Sequence, residues 1–295
     1  LGILQMKNRV KKNSVNLPPW LSKRLPPAEE LKEVRELLKD LNLTTVCQEA
    51  HCPNLCNCFA RGTATFMILG SNCTRNCSFC AVHTGEPDAL DPEEPCRVAQ
   101  ATRHLKLDHV VVTSVTRDDL PDGGSGHFVA TIEEIRERCE ATVEVLTPDF
   151  IGRTRDIDRV IDAAPDVFNH NVETVPRLYG EVRPQANYER SLAVINRASE
   201  AGLTAKSGIM LGLGEERQEV VRTLEDLRDN GCHLVTMGQY LQPSRLHHPV
   251  ERFVPPAEFE ELKEIALDMG FKAVASGPFV RSSYKAGEML RSIGK

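Results

Sequence analysis

"ATFMILGSNCTRNCSFC", residues 64–80, decides how this chain is read. Apart from Thr65 its first seven residues are apolar, and they close on Gly70, the pattern of a short buried strand. A first strand of a dinucleotide-binding fold would run into a glycine-rich phosphate turn. This one runs instead into a loop with Cys73, Cys77 and Cys80, spaced C-x3-C-x2-C. Further apolar stretches follow at 109–115, 142–147, 166–172, 204–211 and 233–240. Between them lie segments such as 127–139 and 188–202, with apolar residues three or four apart, as helices require. Six strand–helix alternations imply an α/β chain with a parallel sheet and right-handed crossovers. Such a sheet either stays open and doubly wound or curls into part of a barrel. With a cysteine loop where the phosphate turn would be, the expectation is a partial (β/α)6 TIM-type barrel, with its chemistry at the carboxyl ends of the strands.

Residues 1–62 read as an N-terminal extension without strand-like alternation. It carries a helix over 28–41, where Leu31, Val34, Leu37, Leu38 and Leu41 keep helical spacing, and then a cysteine-rich loop. The barrel is expected over 63–275 and a tail over 276–295.

Net charge is −6 over 295 residues, which argues against a broad nucleic-acid surface. No apolar run approaches the roughly 18 residues that span a bilayer. With no recognisable address either, the expectation is a cytoplasmic protein. In that reducing setting ten cysteines are many, and seven of them lie between Cys47 and Cys80, which points to metal ligation rather than disulfides. Cys96, Cys139 and Cys232 fall in or beside helices and read as small core residues.

A structural zinc site wants four closed ligands. Three thiols in one short loop fit better on three corners of a cubane [4Fe–4S] cluster, leaving one iron open to a small chelating ligand. A second group, Cys47, Cys52, Cys56 and Cys58, falls within "CQEAHCPNLCNC", and spacing alone does not say which of the four would bind a cluster.

The C-x3-C-x2-C loop, with Phe79 before its last cysteine, resembles the signature of the radical S-adenosylmethionine (SAM) enzymes. "CQEAHCPNLCNCF", "GTATFMILG" and the tail "RSSY" at 281–284 together resemble the lipoyl synthase family over most of the chain. That resemblance implies a second, auxiliary [4Fe–4S] cluster on Cys47, Cys52 and Cys58, with Cys56 outside the ligand set. It also implies a tail serine, Ser283 with Ser282 as the alternative, as the fourth ligand, and a tail closing over the barrel mouth. For SAM it implies contacts near "FNHNVET", hence Asn171 and Glu173, and at the glycine-containing segment 207–216, hence Gly208. Arg183 and Lys206 are candidates for binding carboxylate charge. Gly123 and Gly124 either approach the cofactor or make a turn.

The implied activity is insertion of two sulfur atoms at C6 and C8 of an octanoyl-lysine, catalysed by Cys73, Cys77, Cys80 and Ser283, with sulfur drawn from the auxiliary cluster. The implied partners are an octanoylated lipoyl carrier domain (the glycine-cleavage H protein or a dehydrogenase E2 subunit), a ferredoxin or flavodoxin electron donor, and an iron–sulfur carrier for rebuilding the cluster. Competing readings are another two-cluster radical enzyme and an iron–sulfur electron carrier.

Overall fold

Strands whose two faces are both buried read as nearly unbroken apolar runs, and the computed structural model shows why these do. It describes residues 17–22, 32–46, 54 and 65–294; Cys47, Cys52, Cys56 and Cys58 lie outside the described residues. Eight strands among them form one sheet in sequential order. They are β1 (Thr44–Thr45), β2 (Thr65–Ile68), β3 (His109–Ser114), β4 (Thr142–Leu146), β5 (Val167–Asn169), β6 (Thr204–Leu211), β7 (Leu234–Gln239) and β8 (Ala273–Gly277). β1 runs antiparallel to β2, and β2 to β8 are all parallel. No pairing joins β8 to β1 or β2, so the barrel is partial.

Ahead of the sheet lies α1 (Lys32–Asp40), which buries Val34 and Leu38; residues 28–31 of the expected helix are outside the described residues. The crossovers are α2 (Glu94–His104), α3 (Ser125–Arg138), α4 (Thr154–Asp162), α5 (Tyr188–Glu200), α6 (Arg217–Asp229) and α7 (Pro256–Asp268). The tail ends in α8 (Ala286–Arg291). All six expected strands are present. β1, β8, α7 and α8 are additions to the sequence reading, and β1 places a strand inside the segment expected to have none.

In-register parallel neighbours point to the same face, and each strand alternates faces with period two. Phe66, Ile68, Val110, Val112, Val143 and Val145 face outward into the main core shared with the helices. The alternate positions face the lumen, and several of them are small or polar: Thr113, Glu144, Asn169, Lys206, Gly208 and Thr236. At the amino ends of the strands, α8 seats Met289 and Leu290 against Val167 and Leu234, so the tail packs into the foot of the lumen. No described helix is long and apolar enough to cross a membrane.

One layer above that foot lies a buried ion pair. Lys206 Nζ donates to both oxygens of Glu144 at 2.8 and 3.0 Å, and Asn169 Nδ2 donates to Glu144 Oε1 at 3.0 Å. Both charged side chains are 0% exposed. Lys206 does bind a carboxylate, but the protein's own.

Candidate active site

The loop after β2 is shaped by the turn that leads into it. Leu69 has φ 71° and donates its N–H to Glu94 Oε2 at 2.8 Å; Gly70 has φ 92°, where an added Cβ would come within 2.7 Å of Asp88 Oδ2. A non-glycine residue in the left-handed region is strained, and the Glu94 hydrogen bond helps hold it there. Beyond the turn, Cys73 N–H donates to His83 O at 2.8 Å and Gly85 N–H to Cys73 O at 3.2 Å, which closes the cysteine segment into a loop. Ser78 N–H donates to Val182 O, and His248 N–H donates to Ser78 O, so the loop is tied to the short helix Tyr179–Val182 and to the segment that follows β7.

Arg75, between the first two cysteines, is buried and makes a bidentate pair with Asp118 at 2.7 and 2.9 Å. It also reaches Asp149 at 2.6 Å, and Asp149 in turn accepts from Arg190 at 2.7 Å. Burial alone would push the Asp149 carboxyl up; the Arg75 guanidinium outweighs it and holds the group well below the usual carboxylate range. A charge-assisted bidentate contact fixes geometry as well as contributing energy, so Arg75 acts as the rivet of the loop.

Cys73, Cys77 and Cys80 all border one cavity of about 500 Å³ at the carboxyl ends of the strands. Cys73 Sγ accepts from the N–H groups of Arg75 and Thr116 at 3.4 and 3.3 Å. Burial raises the Cys77 thiol and pushes Cys80 up to about 12, so these thiols ionise readily only when a cation meets them. Among the described residues no three His, Cys, Asp or Glu side chains converge to hold a single metal ion. A cubane asks for no such convergence, since each thiolate takes a separate corner.

The same cavity is bordered by Phe79, Asn171, Glu173, Arg183, Gly208 and both tail serines. Glu173 has φ 65° and is gripped by β6: its N–H donates to Gly208 O at 2.9 Å, and its C=O accepts from Met210 N–H at 2.8 Å. Desolvation pushes its carboxyl above the ordinary value despite the opposing Arg183 charge. Arg183 is buried, with Nη1 donating to the carbonyls of Asn171 and Val172 and to Tyr179 Oη, while its Nε finds no partner among the described residues. Asn171 Oδ1 is likewise buried without a partner among the described residues. A Cβ on Gly208 would lie 2.8 Å from that oxygen and 2.7 Å from Thr236 Oγ1, so only glycine leaves this wall clear.

The tail enters from β8. Ser282 Oγ accepts from Asn171 Nδ2 at 2.6 Å, whereas the Ser283 hydroxyl makes no hydrogen bond with any described residue. Within the cysteine-rich segment Asn54 is described; it is buried, and its Nδ2 donates to Phe279 O. The N-terminal segment and the serine tail therefore meet beside this cavity.

Gly123 and Gly124 do not border it. They make the turn into α3, where φ of 62° and 87° requires glycine. Cys232 is buried, while Cys96 and Cys139 are half-buried. Sequence reasoning missed Arg75 with Asp118 and Asp149, and Gln239, which braces Val254 and Arg252 beside the cavity. An arginine inside the cysteine loop was the one available signal.

Comparison with known proteins places this arrangement. The model of the radical SAM superfamily matches residues 67–227, and that of the N-terminal domain of lipoyl synthase matches 4–52. The lipoyl synthase of Caldanaerobacter subterraneus subsp. tengcongensis is 55% identical over 275 residues, 92% of this chain and 96% of its own length. This chain belongs to the lipoyl synthase family. The lipoyl synthase of Rubrobacter xylanophilus is 54% identical over 92% of this chain and 85% of its own. Among solved structures, HydG, a hydrogenase maturase, superposes with a TM-score of 0.57 at 18% identity, covering 91% of this chain and 67% of that one. Streptococcus suis SuiB bound to its precursor peptide gives 0.57 at 12%, covering 90% and 58%. Both likenesses concern the fold.

A lipoyl synthase is a sulfurtransferase, and membership of the superfamily brings a [4Fe–4S] cluster and SAM. The residues present fit that pair. Three thiols border the cavity, and the partnerless Asn171 Oδ1 and Arg183 Nε offer one acceptor and one donor beside a glycine wall.

Proposed function

We propose that this chain inserts two sulfur atoms, at C6 and C8, into an octanoyl chain borne on a lysine of a lipoyl carrier domain. The sulfur would come from a second [4Fe–4S] cluster, held by Cys47, Cys52, Cys58 and Ser283 and consumed as a substrate. When bound, the cluster on Cys73, Cys77 and Cys80 together with SAM supplies a carbon radical strong enough to take hydrogen from an unactivated alkyl carbon, which no general base can do.

The chain's own residues prepare the cavity for this. Asn171, Glu173, Arg183 and Gly208 form the wall against which SAM is held, with Phe79 of the cysteine loop packed against the main core. Val46, Met67, Val82 and Met210 give the cavity an apolar lining suited to an alkyl chain, and its volume lies in the range of small-molecule pockets. Water is thereby kept from the reacting carbon. Ser283 offers a hydroxyl not engaged by any described residue, and an oxygen ligand is a harder, weaker match to iron than a thiolate, as suits a cluster to be dismantled.

The single observation that carries this reading is the contact of Asn54, from the second cysteine segment, with Phe279 of the tail, one residue before the stretch 280–283 that borders the same cavity as Cys73, Cys77 and Cys80. We assign the carrier to a glycine-cleavage H protein or a dehydrogenase E2 subunit, the electrons to a ferredoxin or flavodoxin, and cluster rebuilding to an iron–sulfur carrier. The compartment is the cytoplasm, and the division is extension 1–62, barrel 63–275 and tail 276–295. In a single turnover with isotopically labelled sulfide built into the clusters, the label is expected in a dithiolated octanoyl peptide. A product carrying only unlabelled sulfur would overturn the proposal.

A further inference from the structure

Asn171 stands at a junction that the proposed activity does not require. Its Nδ2 donates both to Glu173 Oε1, at 3.0 Å, and to Ser282 Oγ, at 2.6 Å, across 111 positions of sequence. The carboxylate fixes which way the carboxamide points, because only the NH₂ end can donate to it. The Oδ1 end is therefore turned away from that carboxylate and lies beside the Gly208 wall of the cavity, buried and without a partner among the described residues, and a buried unpaired carbonyl costs free energy until a donor meets it. The strap that carries Ser282 is held on two further sides. Phe279 O accepts from Asn54 Nδ2, and the Val280 carbonyl packs so closely on β7 that Gly238 has no room for a side chain. Ser283 is the next residue along.

We propose that Asn171 couples the cofactor pocket to the serine strap: one carboxamide receives a hydroxyl or ammonium donor of the ligand at Oδ1 and pins Ser282 through Nδ2. Filling the pocket then orders the strap, and an emptied pocket loosens it together with Ser283. Because such coupling is reciprocal, a seated strap tightens ligand binding by the same factor. The role is one of positioning and rests on the reading of Ser283 given above. Its consequence is an order of events, in which the tail serine is held firmly while SAM is present and becomes freer between the two rounds of sulfur insertion.

The test uses the anaerobically reconstituted full chain without reductant, with SAM as the probe. Hydrogen exchange is followed by mass spectrometry in the peptide spanning residues 278–285, and SAM affinity is measured in parallel. In the wild type, SAM should slow strap exchange roughly tenfold, the middle of the usual coupling range. In Ser282→Ala the strap should exchange at one rate with or without SAM, and SAM should bind roughly tenfold more weakly. Ser282→Thr, which keeps the hydroxyl, should restore the response. Equal protection in the wild type and Ser282→Ala, or none in the wild type, sinks the coupling. Iron counted on the same samples separates the two readings. About four irons per chain with a responsive strap removes the second cluster and leaves the coupling standing, whereas about eight with an unresponsive strap does the reverse.

Discussion

Replacing Lys206 with methionine tests the lumen layer beneath the cavity. Glu144 and Lys206 are both 0% exposed, and among the described residues the basic side chains within salt-bridge distance of that carboxylate are Lys206 and, at 3.6 Å, His109. Breaking a buried pair by removing one partner costs about 3–5 kcal/mol, because the remaining charge keeps its desolvation penalty. At about 2 °C per kcal/mol for a chain of this size, the unfolding midpoint should fall by roughly 6–10 °C. Burial alone would push Glu144 up, but Lys206 together with the His109 contact more than offsets it and holds the carboxyl below its usual range. In the wild type this contribution is present above the unfolded carboxylate pKa and is lost as pH falls through the lowered folded value. In Lys206→Met burial is no longer opposed by the ammonium, so the deficit should be full near pH 7.5 and shrink towards pH 5 as Glu144 takes up a proton. Scanning calorimetry at one scan rate reads both effects, and Glu144→Gln combined with Lys206→Met should recover most of the loss, since glutamine can still accept from Asn169. A single variant as stable as the wild type at pH 7.5, or a deficit unchanged by pH, would refute the argument.

Gly208→Ala should weaken SAM binding roughly five- to a hundredfold, the equivalent of about 1–3 kcal/mol of overpacking, because its Cβ would strike Asn171 Oδ1 and Thr236 Oγ1. Equilibrium dialysis on protein of unchanged iron content measures this, and undiminished affinity contradicts the assignment of that wall. His170 is buried between Thr147 O and Ser191 Oγ, and burial, then the Arg183 charge, lower its pKa to about 4. The unfolded chain therefore takes the proton first. Stability should be full above about pH 6.5 and decline towards pH 4 by up to about 3 kcal/mol. Denaturant titrations at pH 7.5, 6 and 5 should show a shallower decline in His170→Asn, and matching slopes would remove His170 as the cause.

The strand–helix order was legible because the outward faces of the strands are apolar and the crossover helices keep their spacing; β6 was expected at 204–211 and is found there. β8 escaped because "AVASG" carries alanines on its lumen face and little β-preference. α7 could have been found, since Phe259, Leu262 and Ala266 keep helical spacing behind a proline start. In the site, Cys73, Cys77 and Cys80 announce themselves by spacing, Asn171 and Glu173 by lying just past the end of β5, and Gly208 only through the family resemblance of the segment 207–216. What spacing cannot carry is contact between distant segments. Arg75 meets Asp149 across 74 positions and Asn171 meets Ser282 across 111, and only the curl of the sheet brings them together.

That curl gives the polar lumen residues a second role beyond the chemistry above them. Side chains alternate with period two, so a one-residue slip of β6 would exchange Gly208 for Ile209 on the cavity wall and Lys206 for Ser207 opposite Glu144. In an all-apolar barrel such a slip would exchange one aliphatic side chain for another at modest cost. Here it would drive a lysine into the helix-packed core and leave Glu144 unpaired, each an expense of several kcal/mol. The pair Glu144–Lys206, two residues below the cavity wall on β4 and β6, thus keys the register of the strands that present Asn171 and Gly208. An ion pair that adds little net stability can still exclude the misaligned sheet, and in this fold alignment is what the active site depends on.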